Sequence, residues 1–404
     1  MAHLTSSPRP APDHLAALDG MRGIAIGLVV WYHVWLISWL GADVTVLGKT
    51  YNFNVFPESG FAGVDLFFFI SGFCLFYPYA QTLFDGRPRQ SVLTFAYRRI
   101  LKIVPSYYLA IVLMIALGFA HFDSRSDEVK QVLAHVFFVH GLWADTWGGI
   151  QGVFWSLGVE VQFYVLFPVL CWVAMRWPAA LFPVLVVAAN LYRFAVVHHY
   201  NAGQELDSLP GTIDLFAGGM FTAWAFRAVS TRYPGLARNR VLWTAVAFVA
   251  FAGLYVALRQ SFEHRGEAGW NDAWKLYTRP EVALAFVPAT LGSLLAFPAW
   301  QRVLANPFFV FLSFVSYNLY LWHQALAWML RDARMPPWAG SQPQSDPHWA
   351  LPYTLVAMTF AILVAWLLTI LVEQPFLRKR PFQSFFTGER PRPQKDAAAG
   401  ARAA

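Results

Sequence analysis

Two residues near the start of the 404-residue chain have types and spacing that suit group transfer, Arg22 and His33. His33 is the one titratable group in the stretch from Gly23 to Ala42, which carries no formal charge. Eleven residues of helix turn through about 1100°, or three turns plus about 20°, so both side chains share a face about 16 Å apart along the axis. An imidazole in an apolar medium can take a proton from a hydroxyl or carry an acyl group transiently. A guanidinium at the edge of that medium can grip phosphate.

Further ionisable groups sit in or beside apolar runs, where they are costly and mark candidate sites. Asp65 follows Gly63-Val64, Glu160 follows Trp155-Ser156-Leu157-Gly158-Val159, and His323 closes Ser316-Tyr317-Asn318-Leu319-Tyr320-Leu321-Trp322. Arg98, Arg99 and Lys102 precede another apolar run. On a helix Arg99 and Lys102 share a face, and with Arg22 they would form a cationic pocket for phosphates. Each residue also has a structural reading. Arg22 and the Arg98–Lys102 group can simply set topology. His33 can make an interhelical hydrogen bond. Asp65, Glu160 and His323 can be boundary or interfacial residues. Arg193 and Asp214 flank one loop and can pair. Glu373 precedes Pro375 and can pair with the basic cluster at 378–380. Both of these features are read as structural.

The elements that must hold these groups follow from composition. The chain is 57% hydrophobic, 17% aromatic and only 13% charged, about half the charge of a soluble domain. That excludes a soluble enzyme, a disordered chain and a disulfide scaffold. Cys74 and Cys171 lie inside apolar runs, so no disulfide framework is expected. The candidate metal ligands come singly from different segments, so no metal site is expected. A net charge of +7 would suggest nucleic acid only if the basic residues clustered on a soluble surface, and they do not.

Ten apolar runs predict an all-α integral membrane protein, a bundle of about ten transmembrane helices. They are Gly23–Ala42, Leu66–Phe84, Ile103–Ala120, Trp155–Met175, Trp177–Tyr192, Thr212–Phe226, Val241–Leu258, Val282–Gln301, Phe308–Leu330 and Leu351–Val372. The 14-residue stretch Gln131–Ala144 is too short and reads as a re-entrant or interfacial segment. Ten spans with both termini in the cytoplasm place 20 of the 30 Lys and Arg inside; an eleventh span would reduce that to 14. The positive-inside rule therefore favours ten. Residues 1–17 and the basic, Pro/Ala-rich segment 377–404 read as cytoplasmic tails, the latter disordered and near anionic headgroups. The first apolar run is too long for a cleavable signal, and no internal repeat is visible.

Cationic groups on the cytoplasmic side, with imidazoles and carboxylates deeper, imply a reaction across the bilayer. An anionic donor docks inside, and a buried imidazole oriented by a carboxylate takes a proton from an acceptor hydroxyl. The same pattern fits a proton-coupled transporter. Here the chain resembles the membrane-bound acyltransferase-3 family. The motifs run in the family's order: LDGMRGIAIGLVVWYH (18–33), GVDLFFFISGF (63–73), AYRRILKIVPSYY (96–108), WSLGVEVQFYVLFP (155–168), SYNLYLWHQ (316–324) and VEQPF (372–376).

The resemblance implies a membrane domain over 18–376 that O-acylates glycans or related hydroxylated metabolites from acyl-CoA, commonly acetyl-CoA. It implies that His33 is the essential histidine, with Arg22 its partner, and that Arg99 is the first arginine of a donor-binding Arg-x-x-Arg motif. Lys102 stands at the second, keeping the charge but losing bidentate geometry. Many relatives carry a C-terminal hydrolase-like domain that is not seen here, so either the acyl group goes directly to a lipid-linked or small acceptor, or a separate extracytoplasmic transferase finishes the transfer. The expected activity is that of an O-acyltransferase of a bacterial inner membrane. The expected catalytic residues are His33, Glu160, Asp65 and His323; the expected donor-binding residues are Arg22, Arg98, Arg99 and Lys102. Glu160 or Asp65 is expected to orient His33 or bind the acceptor. A multi-pass transporter or flippase of glycosylated or acylated lipids is the alternative; the absence of repeated halves weighs against it. A macrolide-type secondary metabolite is an alternative acceptor.

Overall fold

A computed structural model describes residues 15–199 and 203–379. Most of the tails expected at 1–17 and 377–404 therefore lie outside the described residues. Where tail and structure overlap, the chain is helical: the first helix starts at Ala16 and the last helical run reaches Lys379.

Ten helices of 17 residues or more are present among the described residues, one over each predicted apolar run. They are α1 (Ala16–Ser38), α2 (Ala62–Asp85), α3 (Val92–Ala116), α4 (Trp155–Ala174), α5 (Pro178–His199), α6 (Leu209–Arg232), α7 (Arg240–Glu263), α8 (Arg279–Leu295), α9 (Pro307–Asp332) and α10 (Ala350–Leu368). The architecture is that of an all-α membrane protein. Seven helical segments are long and apolar enough to cross a bilayer, or eight if the bent pair Trp270–Leu295 and Pro298–Leu304 is one span. The other two long helices, α6 and α9, have the length but carry more polar side chains, among them Asp214, Asn318 and His323.

Several boundaries differ from expectation for local reasons. The Ser91 hydroxyl caps α3 by accepting the Thr94 N–H at 3.1 Å, so Arg98, Arg99 and Lys102 are helical and not in a loop. The run expected to end at Gln301 stops at Leu295; Ala296 is extended, and Pro298 starts a short helix at 119° to the one before. Helix Arg125–Val136 covers the start of the expected re-entrant or interfacial segment, and turns follow it. At 12 residues it extends only about 18 Å. A small exposed hairpin, β1 (Asp43–Val46) with β2 (Lys49–Asn52), turns at Leu47-Gly48, both at positive φ. Apolar periodicity did not forecast it.

Close backbone approach builds the core. The α2–α6 and α1–α9 pairs are the most extensive helix contacts. A Cβ on Gly72 would meet the Phe216 carbonyl oxygen at 2.0 Å, and one on Gly219 would meet that of Phe69 at 1.9 Å. Gly23 is held as tightly against the Phe309 carbonyl, at 1.9 Å. Small residues let helices approach where lipid removes the hydrophobic drive to associate. Around this core, α5 and α7 expose apolar side chains such as Val184, Val187, Phe248 and Val249, as lipid-facing helices do.

Two five-residue π turns interrupt this regularity, Trp274–Thr278 before α8 and Thr369–Glu373 after α10. Such turns recur at functional sites. Here they place the buried charges Lys275 and Glu373.

Candidate active site

His33 and His323 meet across the α1–α9 interface. Their rings lie edge to face, with centroids 4.8 Å apart. His323 is fully buried. Its Nδ1 lies 3.0 Å from the Leu319 carbonyl and 2.9 Å from that of Tyr320. Both neighbours are acceptors, so Nδ1 carries the proton and Nε2 is left as an acceptor. That Nε2 lies 3.1 Å from His33 Nδ1, which is also 2.9 Å from the Val29 carbonyl. His33 Nδ1 must therefore be the donor. Its Nε2 is then unprotonated and available as a base. The logic is that of a base oriented by a third group, with an imidazole in that place. Neither Glu160 nor Asp65 hydrogen-bonds His33; of the two roles expected for them, orienting His33 or binding the acceptor, only the first is at odds with the geometry.

Two cavities lie nearby; His33 lines the second, and neither imidazole lines the first. The first, about 800 Å3, is lined by Arg22, Arg99, Lys102, Ser71, Glu160 and Tyr164 among others. Glu160 sits here, accepting from the Ser71 hydroxyl at 2.7 Å and from the Tyr164 hydroxyl. The Arg99 guanidinium stands over the Tyr164 ring, 5.8 Å from its centroid. Lys102 is engaged by Glu373, which is 1% exposed and also accepts from Asn318 Nδ2 at 3.0 Å. Glu373 thus pairs with Lys102 on α3 and not with the 378–380 cluster, part of which lies outside the described residues. Arg98 is exposed and does not line the cavity. Arg22 and Arg99 have no carboxylate partner among the described residues, and remain for an anion.

The second cavity, about 980 Å3, is lined by His33, Asp65, Lys275, Arg279, Asn271 and Gln324, with Tyr32 and four tryptophans. Asp65 Oδ1 faces Arg279 Nε at 3.4 Å, while its buried Oδ2 has no hydrogen-bond partner. Arg279 Nη2 reaches Asp207 Oδ1 at 2.9 Å, and Lys275 Nζ reaches Asp207 Oδ2 at 2.7 Å. The two cations and two carboxylates balance. Arg279, Lys275 and Asp207 were not singled out by sequence reasoning. The available signal was that Arg279 and Lys275 stand in an expected outer loop against the positive-inside trend. Arg193 and Asp214 do pair, at 2.6 Å and fully buried, and line neither cavity. Among the described residues, no three His, Cys, Asp or Glu side chains gather as they would around a metal ion.

His33 lines the charge-balanced cavity, and the arginine-lined cavity adjoins that one at Val64 and Tyr320. The acyltransferase domain of the acyltransferase-3 family matches residues 15–370. The chain belongs to that family. Its relatives include the peptidoglycan O-acetyltransferase OatA of Listeria monocytogenes, 23% identical over 94% of this chain and 58% of that protein. BcsY of Komagataeibacter xylinus, whose name describes a membrane-bound transacylase, is 25% identical over 76% of this chain and 71% of that one. A Staphylococcus aureus protein with the name of an O-acetyltransferase is 23% identical over 78% of this chain and 50% of its own. The chain thus spans between half and about seven-tenths of these relatives. No solved structure matches it.

Proposed function

We propose that this chain is an integral-membrane O-acyltransferase of a bacterial inner membrane. It moves an acyl group, acetyl in the first instance, from acyl-CoA to a hydroxyl of a glycan, glycolipid or related acceptor. In this reading ten helices cross the bilayer and both termini are cytoplasmic, so the arginine-lined cavity opens inward and the Asp65 cavity outward. One observation carries the reading: His33, its Nδ1 held by His323 so that Nε2 is bare, lines the second cavity, which shares the walls Val64 and Tyr320 with the arginine-lined one.

The donor phosphates dock against Arg22 and Arg99 by charge-assisted hydrogen bonds. Lys102 adds field but is held by Glu373. Glu160, with Ser71 and Tyr164, shapes the wall along which the donor arm runs. The axial distance from Arg22 to His33, about 16 Å, is the depth the arm must cover. On the other side Asp65 Oδ2 accepts a hydroxyl of the acceptor, and the tryptophans offer ring faces to its C–H groups. His33 Nε2 takes the proton of the attacking hydroxyl. The new C–O bond forms at the thioester carbonyl and the C–S bond breaks. The imidazolium then returns its proton to the departing thiolate. General-base catalysis of this kind supplies about 10²–10⁴ in rate, and confinement of both reactants supplies the rest.

The family membership and the O-acetyltransferase names among the relatives support the chemistry. The acceptor class rests on the polar, aromatic character of the second cavity. The test is incorporation of labelled acetyl groups from acetyl-CoA into the glycan fraction of membranes carrying the protein. Acetyl-CoA-dependent labelling lost with His33→Ala is expected. Labelling indifferent to His33 would overturn the mechanism, and an absence of acetyl-CoA-dependent labelling unless a membrane gradient is applied would favour a transporter.

A further inference from the structure

The two cavities share two wall residues, Val64 on α2 and Tyr320 on α9. In the reading above the acyl group passes from the arginine-lined cavity to His33 beside these two residues, and both are held in place. The Tyr320 hydroxyl donates to the Val153 carbonyl at 2.9 Å and lies 2.6 Å from Ser156 Oγ. Its ring stands against the edge of Phe67, with centroids 6.3 Å apart. Its carbonyl accepts from His323 Nδ1, so displacing the Tyr320 backbone would disturb the imidazole that orients His33. Val64 is no freer. The preceding Gly63 lies so close to α1 that a Cβ there would sit 2.5 Å from the Ala25 carbonyl oxygen. Backbone contact therefore sets the α1–α2 spacing beside the seam.

We infer that Val64 and Tyr320 form the acyl-length gauge of the enzyme: they admit the carbonyl of a two-carbon acyl group to His33 and exclude longer chains. The inference rests on the donor reading above and adds to it the residues that set donor specificity. A seam in which the Tyr320 hydroxyl is tied by hydrogen bonds, and in which Gly63 beside Val64 is packed against the α1 backbone, cannot widen for an extra methylene without breaking those contacts. One methylene in such a site is worth about tenfold to two-hundredfold in discrimination. Tyr320 and Val64 act here on the shape of the donor, and neither exchanges a proton in the reaction.

The test uses acetyl-, butyryl- and hexanoyl-CoA as probes, with the full chain in membranes of the expressing cells and label transfer as the reading. The acyl-CoA-dependent rise in thermal midpoint of the purified protein is a second reading. Wild type is expected to transfer butyryl at no more than about a tenth of the acetyl rate, while all three esters raise the midpoint alike, because the nucleotide end binds away from the seam. Tyr320→Ala and Val64→Ala are each expected to raise the butyryl-to-acetyl ratio at least about tenfold. Tyr320→Phe keeps the ring but frees it from Val153 and Ser156, and should fall between. Val64→Ala leaves the Tyr320 hydrogen bonds in place and decides the matter if Tyr320→Ala does not fold. A wild type that transfers hexanoyl as well as acetyl, or a folded Val64→Ala protein with an unchanged ratio, overturns the gauge and leaves the acyltransferase reading standing. If wild type shows neither label transfer nor a midpoint shift with acetyl-CoA, the donor reading fails and the gauge fails with it.

Discussion

His323 Nε2 lies 3.1 Å from His33 Nδ1, and that contact ties α9 to α1. The two backbone carbonyls beside His323 Nδ1 settle the tautomer of both rings. The acceptor behind the His33 imidazole is thus a second neutral ring and not a carboxylate. A neutral partner holds the ring in place without the desolvation that a buried carboxylate would impose in this setting.

In the proposed mechanism that relationship makes His323 a positioning residue with a specific signature. His323→Gln retains a carbonyl oxygen that can accept from His33 Nδ1, whereas His323→Leu offers no acceptor. The expected outcome is a fall in kcat of about tenfold for Gln and about a hundredfold or more for Leu, with KM for acyl-CoA little changed, judged against the 10²–10⁴ range of base catalysis. Equal losses in the two variants would reduce His323 to a packing role.

Lys102 should behave as a structural partner of Glu373 more than as a donor ligand. Lys102→Met strands a buried carboxylate, and breaking such a pair costs about 3–5 kcal/mol. With Lys102 about a third exposed, the lower end is expected, seen as a fall in thermal midpoint. The double variant Lys102→Met/Glu373→Gln removes the orphan charge while Asn318 keeps its acceptor, and should recover most of the loss. A midpoint unmoved by Lys102→Met, together with a raised KM, would return Lys102 to phosphate binding.

Arg99 and Arg22 should carry the donor's charge. Arg99→Ala and Arg22→Ala are each expected to raise KM for acyl-CoA about tenfold, the loss of one hydrogen bond to a charged group. Arg98 points away from the cavity, so Arg98→Ala should leave KM where it is. The comparison is made by titrating acyl-CoA in membranes containing each variant.

The glycines at the α2–α6 contact are a test of the fold itself. Gly72→Ala and Gly219→Ala each drive a methyl into a carbonyl oxygen of the partner helix, and overpacking of this kind costs about 1–3 kcal/mol or more. Loss of monodisperse protein in detergent is expected. Gly253→Ala on α7 has nothing within 4 Å of the new methyl and should be neutral or stabilising.

The helices were legible in the sequence because long, mostly charge-free apolar runs leave little choice. Their ends were not, because caps and proline breaks set them; Ser91 and Pro298 are examples. For the site, the Arg22–His33 spacing was readable because both lie on one continuous helix. The partner of His33 was not, because it comes from a helix 290 residues further on. A carboxylate was expected to orient His33 or to bind the acceptor; Glu160 faces the arginine-lined cavity, and Asp65 faces Arg279 in the cavity that His33 also lines. Composition and spacing along one helix give no rotational setting between helices. The two π turns, which place Glu373 and Lys275, also leave no mark in the hydropathy pattern.

The most direct measurement of the central claim is acetyl transfer from labelled acetyl-CoA in membranes holding equal amounts of wild-type and His33→Ala protein, with no transmembrane gradient applied. The account predicts acetyl-CoA-dependent labelling of a glycan or lipid-linked fraction by wild type, reduced by about a hundredfold or more in His33→Ala. Equal labelling by a correctly inserted His33→Ala protein would contradict it.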